Sequence, residues 1–399
     1  MDSKERILIA GAGPVGLTCA MVLAKAGIDV LVLEANENLA EDLRASTFHP
    51  PTLDMLDKYG ISEQLIKAGL TAPTWQYRDR VSGEKAEFDL GLIKDRTAHP
   101  YRVQCEQHKM TRMVYSKIKN WETVDIRFST KVVGVGQDGN SVWLEVDENG
   151  ERRKIKGRYV IAADGANSAI RIGLGLNFEG VTYPEWFVQA TTTFEFRDYI
   201  HNLSLINYVS DSDEWFVLLR VVGLWRCLFP SREGEKQEEA ISEESLQSRL
   251  NGVYRLNKNY ELTHKTIYRI HQRVAETYNV GRILLAGDSA HLNNPLGGMG
   301  MNGGIHDAVN LTDKIIKVWK KEASEDLFDL YTKQRQPVAV ESVQAQADRN
   351  RKLLNERDPE VRLARFKEIQ STANSPDKAR EFLLRSSMIE SLERAARVE

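Results

Sequence analysis

The chain has 399 residues, 42% hydrophobic and 28% charged, enough for two to three domains and a large core. Its net charge of −3 gives no global basic field, which argues against nucleic acid or anionic lipid as a partner. The three cysteines, Cys19, Cys105 and Cys227, lack disulfide or metal-ligand spacing and are expected to be buried small hydrophobes in a reducing, cytoplasmic setting.

The N-terminus opens on a short apolar strand, Ile7 to Ala10. The turn Gly11-Ala12-Gly13-Pro14-Val15-Gly16 follows, then a helical pattern through Ala26, stopped by Gly27. A second strand, Val30 to Leu33, ends at Glu34, 18 residues beyond the last glycine of the turn. Glycines admit a pyrophosphate to the backbone, the helix N-terminus favours negative charge, and the acid suits a free ribose 2′-OH. The unit reads as a dinucleotide site for FAD or NAD. Residues 7 to 33 imitate a membrane segment, but glycines, Pro14, Lys25 and Asp29 interrupt them. No other stretch approaches the ~20 apolar residues of a span, so no transmembrane helix and no export signal are expected.

Further along, Arg44-Ala45 precedes a helix from Thr52 to Tyr59. Residues 73 to 100 read as short strands around a Ser82-Gly83 turn. Strands are expected at Thr130 to Val135, Val142 to Val146 and Lys154 to Ile161, with turns at Asp138-Gly139-Asn140 and Glu148-Asn149-Gly150. An apolar run to Ala163 then delivers Asp164-Gly165-Ala166-Asn167-Ser168-Ala169-Ile170-Arg171. Phe187 to Phe196, Leu203 to Val209, Trp215 to Val221 and Trp225 to Phe229 read as an antiparallel sheet. One of its faces would roof a flat ligand, and at least one of Trp215, Phe216, Trp225 and Phe229 is expected to line that pocket. Residues 231 to 257 are charged and helical.

The strongest signal lies at Val280 to Lys317. A buried strand, Ile283 to Ala286, ends at Gly287-Asp288. Pro295 and five glycines (Gly297, Gly298, Gly300, Gly303, Gly304) follow. Ile305, Ala308, Val309, Thr312, Ile315, Ile316 and Trp319 then recur at helical spacing. The tail beyond Glu341 is helical, with Asp358-Pro359 and Ser375-Pro376 as starts. Ala379, Phe382, Leu383, Ile389, Leu392 and Ala396 are read as one face, packing on the body or on a second subunit, which makes a homodimer an expectation. No metal-ligand cluster and no Ser-His-Asp context are found.

Taken together, the three motifs resemble the class A flavoprotein monooxygenases, single-component FAD-dependent aromatic hydroxylases of the p-hydroxybenzoate hydroxylase fold, over roughly residues 5 to 340. Tyr268 to Ala275 looks like the phenol-hydroxylase branch. The resemblance implies an α/β fold: a discontinuous Rossmann-like FAD-binding domain of the GR2 type (1–72, 101–180, 268–340), an antiparallel β substrate domain (73–100, 181–267) and C-terminal helices (341–399). It implies FAD, with NADPH or NADH as co-substrate, and O2 transfer through a C4a-hydroperoxyflavin to a small phenolic or hydroxylated N-heteroaromatic substrate. The cofactor residues it suggests are Gly11, Gly13, Pro14, Val15, Gly16, Glu34, Ala35, Arg44, Gln107, Val133, Asp164, Gly287, Asp288, Pro295, Gly298, Gly300, Met301 and Asn302. Gln104 rivals Gln107, and Arg171 is expected to organise the second motif with Asp164. Pro295, Gly298, Met299, His271 and Tyr208 are the suggested reaction-site residues. Tyr208, His49 and Arg220 are candidates to deprotonate a phenol, whereas His291 and His306 read as structural. Met299 stands where the family commonly has Gln, and Asn294 where a second Pro is common. A halogenase, an oxidase or reductase of the same superfamily, and a non-catalytic sensor of aromatic ligands stay open, although the G-W-x-W-x-I-P segment of halogenases is missing.

Overall fold

Strands buried on both faces read as continuous Val/Ile/Leu runs and pair in parallel. Ile7–Ala10, Val30–Leu33, Tyr159–Ala162 and Ile283–Leu285 are buried at every residue. In the computed structural model, which describes residues 5–41, 43–139 and 141–399 apart from the side chains of 342–344 and 346, they form a six-stranded sheet. Its order is Asn279–Val280, Ile283–Leu285, Tyr159–Ala162, Ile7–Ala10, Val30–Leu33, Val124–Arg127, and only the 279–280 edge pairs antiparallel. Ala10 is in register with Ala162, and Ala162 with Leu285. The three motif loops therefore leave the sheet side by side at its carboxyl edge, where open α/β sheets bind ligands.

Two helices rise behind those loops, Pro14–Lys25 and Gly300–Trp319. Their contact demands small residues. A Cβ at Gly287 or at Gly304 would fall 2.7 Å from Cγ2 of Val15.

The second sheet has eight strands in the order His291–Leu292, Leu262–Ala275, Phe178–Thr192, Leu224–Pro230, Phe216–Val221, Ile206–Ser210, Thr74–Asp79, Lys85–Asp89. It is antiparallel except where Ile206–Ser210 runs parallel to Thr74–Asp79. Side chains alternate between its faces. Trp75, Tyr77, Tyr208, Val217, Leu228 and Ile270 share one core, while Val209, Phe216, Leu218, Trp225, Cys227 and Phe229 share another. His291–Leu292 lies within the third motif and pairs with Arg273–Val274, so this motif bridges the two sheets.

Several expectations change. The run Lys154 to Ile161 divides between two sheets: Glu151–Gly157 belongs to an exposed three-stranded sheet with Val142–Glu148 and Lys131–Gln137, and Tyr159–Ala162 to the buried one. Asn140, part of an expected turn, lies outside the described residues. The strand expected from Phe187 starts at Phe178, with its register broken between Thr182 and Trp186, around Pro184, which has no N–H to donate. A division at residue 268 would cut the continuous strand Leu262–Ala275, because apolar periodicity does not change where a strand passes from one region to the next.

The tail packs on the body. Leu354, Phe366, Ala379 and Leu383 are at most 1% exposed in the core beneath the eight-stranded sheet. Phe382 stacks on Phe88 at 4.5 Å, and Arg380 grips Asp95 through both carboxylate oxygens. The single face read across Ala379 to Ala396 is instead two, since the helices Pro376–Ser386 and Ile389–Ala396 meet at Met388, whose φ is +65°. That break buries Ala395 and leaves Ala396 exposed.

Candidate functional site

The three loops at the sheet edge build a cradle. A Cβ on Gly11, whose φ is +96°, would sit 2.4 Å from the carbonyl oxygen of Ala163, so this glycine lets the first and second loops touch. A Cβ on Gly13 would meet nothing within 4 Å, which leaves open the side facing the start of the helix Pro14–Lys25. Glu34 accepts a hydrogen bond from the Ala12 N–H at 2.8 Å and another from Asn36, fixing the turn. Asp164 accepts from the Ile170 N–H through Oδ2, while its Oδ1 is buried without a hydrogen bond. Burial raises its carboxyl above the ordinary range. Asp288 is exposed to solvent. The protein atoms around its carboxyl raise it above the ordinary range, against the pull of His291 and Arg44. An open face at Gly13, a helix N-terminus, an unsatisfied acceptor and an acid at the third loop fit FAD, with Gly11 to Gly16, Glu34, Asp164 and Asp288 as the residues that would hold it.

A buried ion network holds the third loop in place. Asp307, 0% exposed, accepts from His291 Nε2 at 2.6 Å, from Arg335 Nε at 2.6 Å and from the Gly287 N–H at 3.2 Å. Arg335 and His291 hold its carboxyl at about 2, overcoming the opposing effect of burial. Arg171 donates to the Ser289 and Ala166 carbonyls and lies over Phe178, tying the second motif to the third. His291 and Arg171 are thus engaged in structure. Asn302 is likewise occupied: its side chain accepts from the His49 N–H and donates to the Thr47 and Gly298 carbonyls.

Beyond the Gly297–Gly298 turn lies a narrow, nearly filled cavity lined by Trp75, Tyr77, Arg102, Tyr208, Gly297, Met299, Asn350 and Ser386. Tyr208 and Met299 had been singled out, and the structure brings them together. Arg102 is 2% exposed on the strand Arg102–Gln104, with Trp75 against its guanidinium at 4.7 Å. Its Nε and Nη1 have no hydrogen-bond partner. The Tyr77 hydroxyl donates to Asn350 Oδ1 at 2.7 Å, so the tail closes this wall. His49, behind the turn, shares a hydrogen bond of 2.9 Å with the Gly297 carbonyl.

Other expected residues fall elsewhere. His271 bonds Thr182 and lies on the opposite face of its strand from Tyr268, Ile270 and Gln272, a consequence of strand alternation, so it is not brought to Tyr208 and Met299. Arg220 is committed to Glu195 and to the Leu224 carbonyl. None of Trp215, Phe216, Trp225 and Phe229 lines the cavity, and the last three face the other core. The aromatic walls are Trp75, Tyr77 and Tyr208. Gln104 bonds Thr47, which abuts Gly298, whereas Gln107 starts a helix and its N–H donates to the Ala45 carbonyl. Arg44 and Ala35 are exposed, and Pro14, Val15, Val133 and Gly300 partly exposed; Met301 is nearly buried. Arg102, Trp75, Tyr77 and Asn350 were missed. A charged residue in the short apolar run Tyr101-Arg102-Val103 was the one signal available for Arg102.

Fold and site together define a flavoprotein built around a discontinuous dinucleotide domain, with an aromatic pocket at its third motif. The chain belongs to the FAD binding domain family, which matches residues 4–346, and within it to the class A FAD-dependent aromatic monooxygenases. It is 32% identical over 380 residues, 92% of each chain, to para-nitrophenol 4-monooxygenase of Pseudomonas sp. (strain WBC-3). It is 31% identical to 6-hydroxy-3-succinoylpyridine 3-monooxygenase of Pseudomonas putida (strain DSM 28022 / S16), across 90% of this chain and 91% of that one. The crystal structure of p-nitrophenol 4-monooxygenase PnpA from Pseudomonas putida DLL-E4 superposes with a TM-score of 0.92 at 31% identity, covering 98% of this chain and 99% of that chain. The protein is an FAD-dependent aromatic hydroxylase with NAD(P)H as co-substrate, which sets aside the halogenase, oxidase and sensor readings. No helix among the described residues is long and apolar enough to cross a membrane, and no group of potential metal ligands occurs among them.

Proposed function

We propose that the substrate is a single-ring phenol or hydroxylated N-heteroaromatic, hydroxylated in the cavity beside Gly297 and Met299. The observation that carries this reading is the lining of the cavity: three aromatic side chains, Trp75, Tyr77 and Tyr208, around one buried cation, Arg102, in a small space. The names of the two relatives, a nitrophenol and a hydroxypyridine monooxygenase, support the same class.

Bound FAD supplies the reducing equivalents and the activated oxygen that carbon hydroxylation needs. The protein's contributions are positional. Main-chain N–H groups from Met299 to Asn302, at the start of a 20-residue helix, favour negative charge on a ligand beside them, while the Gly298 N–H is bonded to the Pro295 carbonyl. Trp75, Tyr77 and Tyr208 exclude water and hold the ring. Pro295, Gly298 and Met299 set the wall between cofactor and substrate. The division into cofactor, substrate and tail regions belongs to this proposal, with the second boundary moved to the end of the strand at Ala275. So do cytoplasmic residence, supported by three buried free thiols, and a homodimer through the tail, supported by Val361 and Leu363, exposed by 40% and 37%.

The test is NAD(P)H oxidation by the yellow holoenzyme with 4-nitrophenol, hydroxypyridines and larger polycyclic phenols. Single rings are expected to accelerate anaerobic NAD(P)H oxidation and, in air, to gain one oxygen from O2. Turnover of polycyclic phenols alone would refute the assignment. Equal anaerobic rates with and without a hydroxylated substrate would refute that acceleration.

A further inference from the structure

Among the described residues, Arg102 is the one charged residue in the cavity wall, and the cofactor cradle does not account for it. It sits on the central strand of a small sheet between Thr47–Phe48 and Leu70–Ala72, and it is almost completely buried. The titratable groups facing it are Tyr77 and Tyr208 from the large sheet and His49 from the segment before the helix Pro50–Asp57. Among the described residues, none that lines the cavity is a carboxylate. A buried guanidinium with two unused donors is strongly unfavourable unless an anion completes it.

We propose that Arg102 is the specificity-determining residue of this cavity: its guanidinium receives the ionised oxygen of the aromatic substrate, so the enzyme takes a phenolate from solvent rather than a phenol. This rests on the hydroxylase reading above. Planar guanidinium donors suit an oxyanion, and charge-assisted hydrogen bonds fix its direction. Tyr208 lies against the same guanidinium and the backbone amide of Gly297. Burial keeps its phenol above the usual range even against those two, so it remains a protonated donor at neutral pH. His49 is held neutral by burial and by the Arg102 charge. Its Nε2 is already bonded to the Gly297 carbonyl. Neither group is suited to remove a proton, and a substrate that enters ionised needs no base. Its proton stays in bulk water. The oxyanion also feeds electron density to the ortho and para carbons, where an electrophilic oxygen attacks.

The experiment is equilibrium binding of 4-nitrophenol to the holoenzyme, read by absorbance, because the phenolate is yellow and the phenol is not. At a pH where the free ligand is mostly protonated, the bound ligand is expected to be yellow. Arg102→Met should bind about 10- to 100-fold more weakly, the loss of one charge-assisted hydrogen bond, and hold the colourless form. Arg102→Lys should recover part of both, and Tyr208→Phe should weaken binding with the colour kept. Flavin absorbance and melting temperature report whether each variant folds. If Arg102→Met does not, the colour with wild type and with Arg102→Lys decides. Colourless ligand on the wild type, or unchanged affinity in Arg102→Met, overturns the proposal. Turnover of 4-nitroanisole, which cannot ionise, at a similar kcat/KM would also overturn it while leaving the hydroxylase reading standing. Failure to oxygenate any aromatic would instead remove that reading, and the colour of bound 4-nitrophenol would still decide this one.

Discussion

Gly13 and Gly11 lie two residues apart in one turn, yet alanine should affect them in opposite ways. At Gly13 the added methyl meets no protein atom within 4 Å and the backbone is extended, with φ −74° and ψ −177°. Replacing a glycine N-cap by alanine costs at most about 1 kcal/mol. The same methyl occupies the open side of the cradle, where a pyrophosphate would approach the helix N-terminus. Loss of one charge-assisted hydrogen bond there, about 1.5–3 kcal/mol, weakens FAD about 10- to 150-fold. At Gly11 the methyl falls 2.4 Å from the Ala163 carbonyl oxygen, and φ is +96°. Left-handed backbone costs about 1–2 kcal/mol for a residue with a Cβ, and a fixed main-chain oxygen cannot rotate away. Gly11→Ala is therefore expected to destabilise the apoprotein by about 2–4 kcal/mol. Urea unfolding of the apoproteins and fluorescence titration with FAD separate the two effects. Wild-type FAD affinity in Gly13→Ala would show that the pyrophosphate does not lie over this turn. Equal loss of stability in both variants would refute the packing argument.

Asp307→Asn leaves the Arg335 guanidinium, 2% exposed, without its carboxylate, and should cost about 3–5 kcal/mol in urea unfolding. A loss below about 1 kcal/mol would mean the network does not hold the third loop. Burial, aided by Arg335, lowers His306 to about 3, so it stays neutral in the fold while the unfolded chain takes a proton below the ordinary value of 6.5. The stability it allows is complete above pH 6.5 and is lost as the pH falls towards 3, by about 1.4 kcal/mol per pH unit. His49, also held low, adds in the same direction. His306→Gln should reduce the slope between pH 6 and 4 by about one proton, and an unchanged slope would refute the assignment.

What was legible in the sequence was local. Each cofactor motif is a strand end, a turn and a helix start within some ten residues, and backbone conformation there is dictated by neighbours in the chain. The register of Ala10, Ala162 and Leu285 then brings three such segments into one row without long-range information beyond strand pairing. Boundaries failed where one apolar period ran through a change of sheet, as at Arg158, or through a helix break, as at Met388. The Trp and Phe residues of the middle sheet were read for aromatic content alone. Parity along each strand decides which face they occupy, and Trp225 and Phe229 have the wrong parity.

The substrate cavity was illegible for a different reason, and the reason bears on how specificity is arranged in this chain. Its wall takes residues from the first sheet hairpin (Trp75, Tyr77), a three-residue strand (Arg102), the middle sheet (Tyr208), the third motif (Met299) and two tail helices (Asn350, Ser386). No two of these segments are adjacent in sequence, and none has a periodicity that distinguishes a wall residue from a core residue. Asn350 lies past the end of the family match at residue 346. Its bond to Tyr77 nevertheless sets one side of the cavity. The cofactor end is thus fixed by compact motifs that tolerate little change, because a Cβ at Gly11 or Gly287 has nowhere to go. The substrate end is assembled from residues on separate elements, and all of them except Gly297 and Met299 stand apart from the cradle. That separation lets a chain of this fold keep its flavin chemistry while its ring specificity moves. It also places most of the residues that choose the ring outside the motifs that reveal the cofactor.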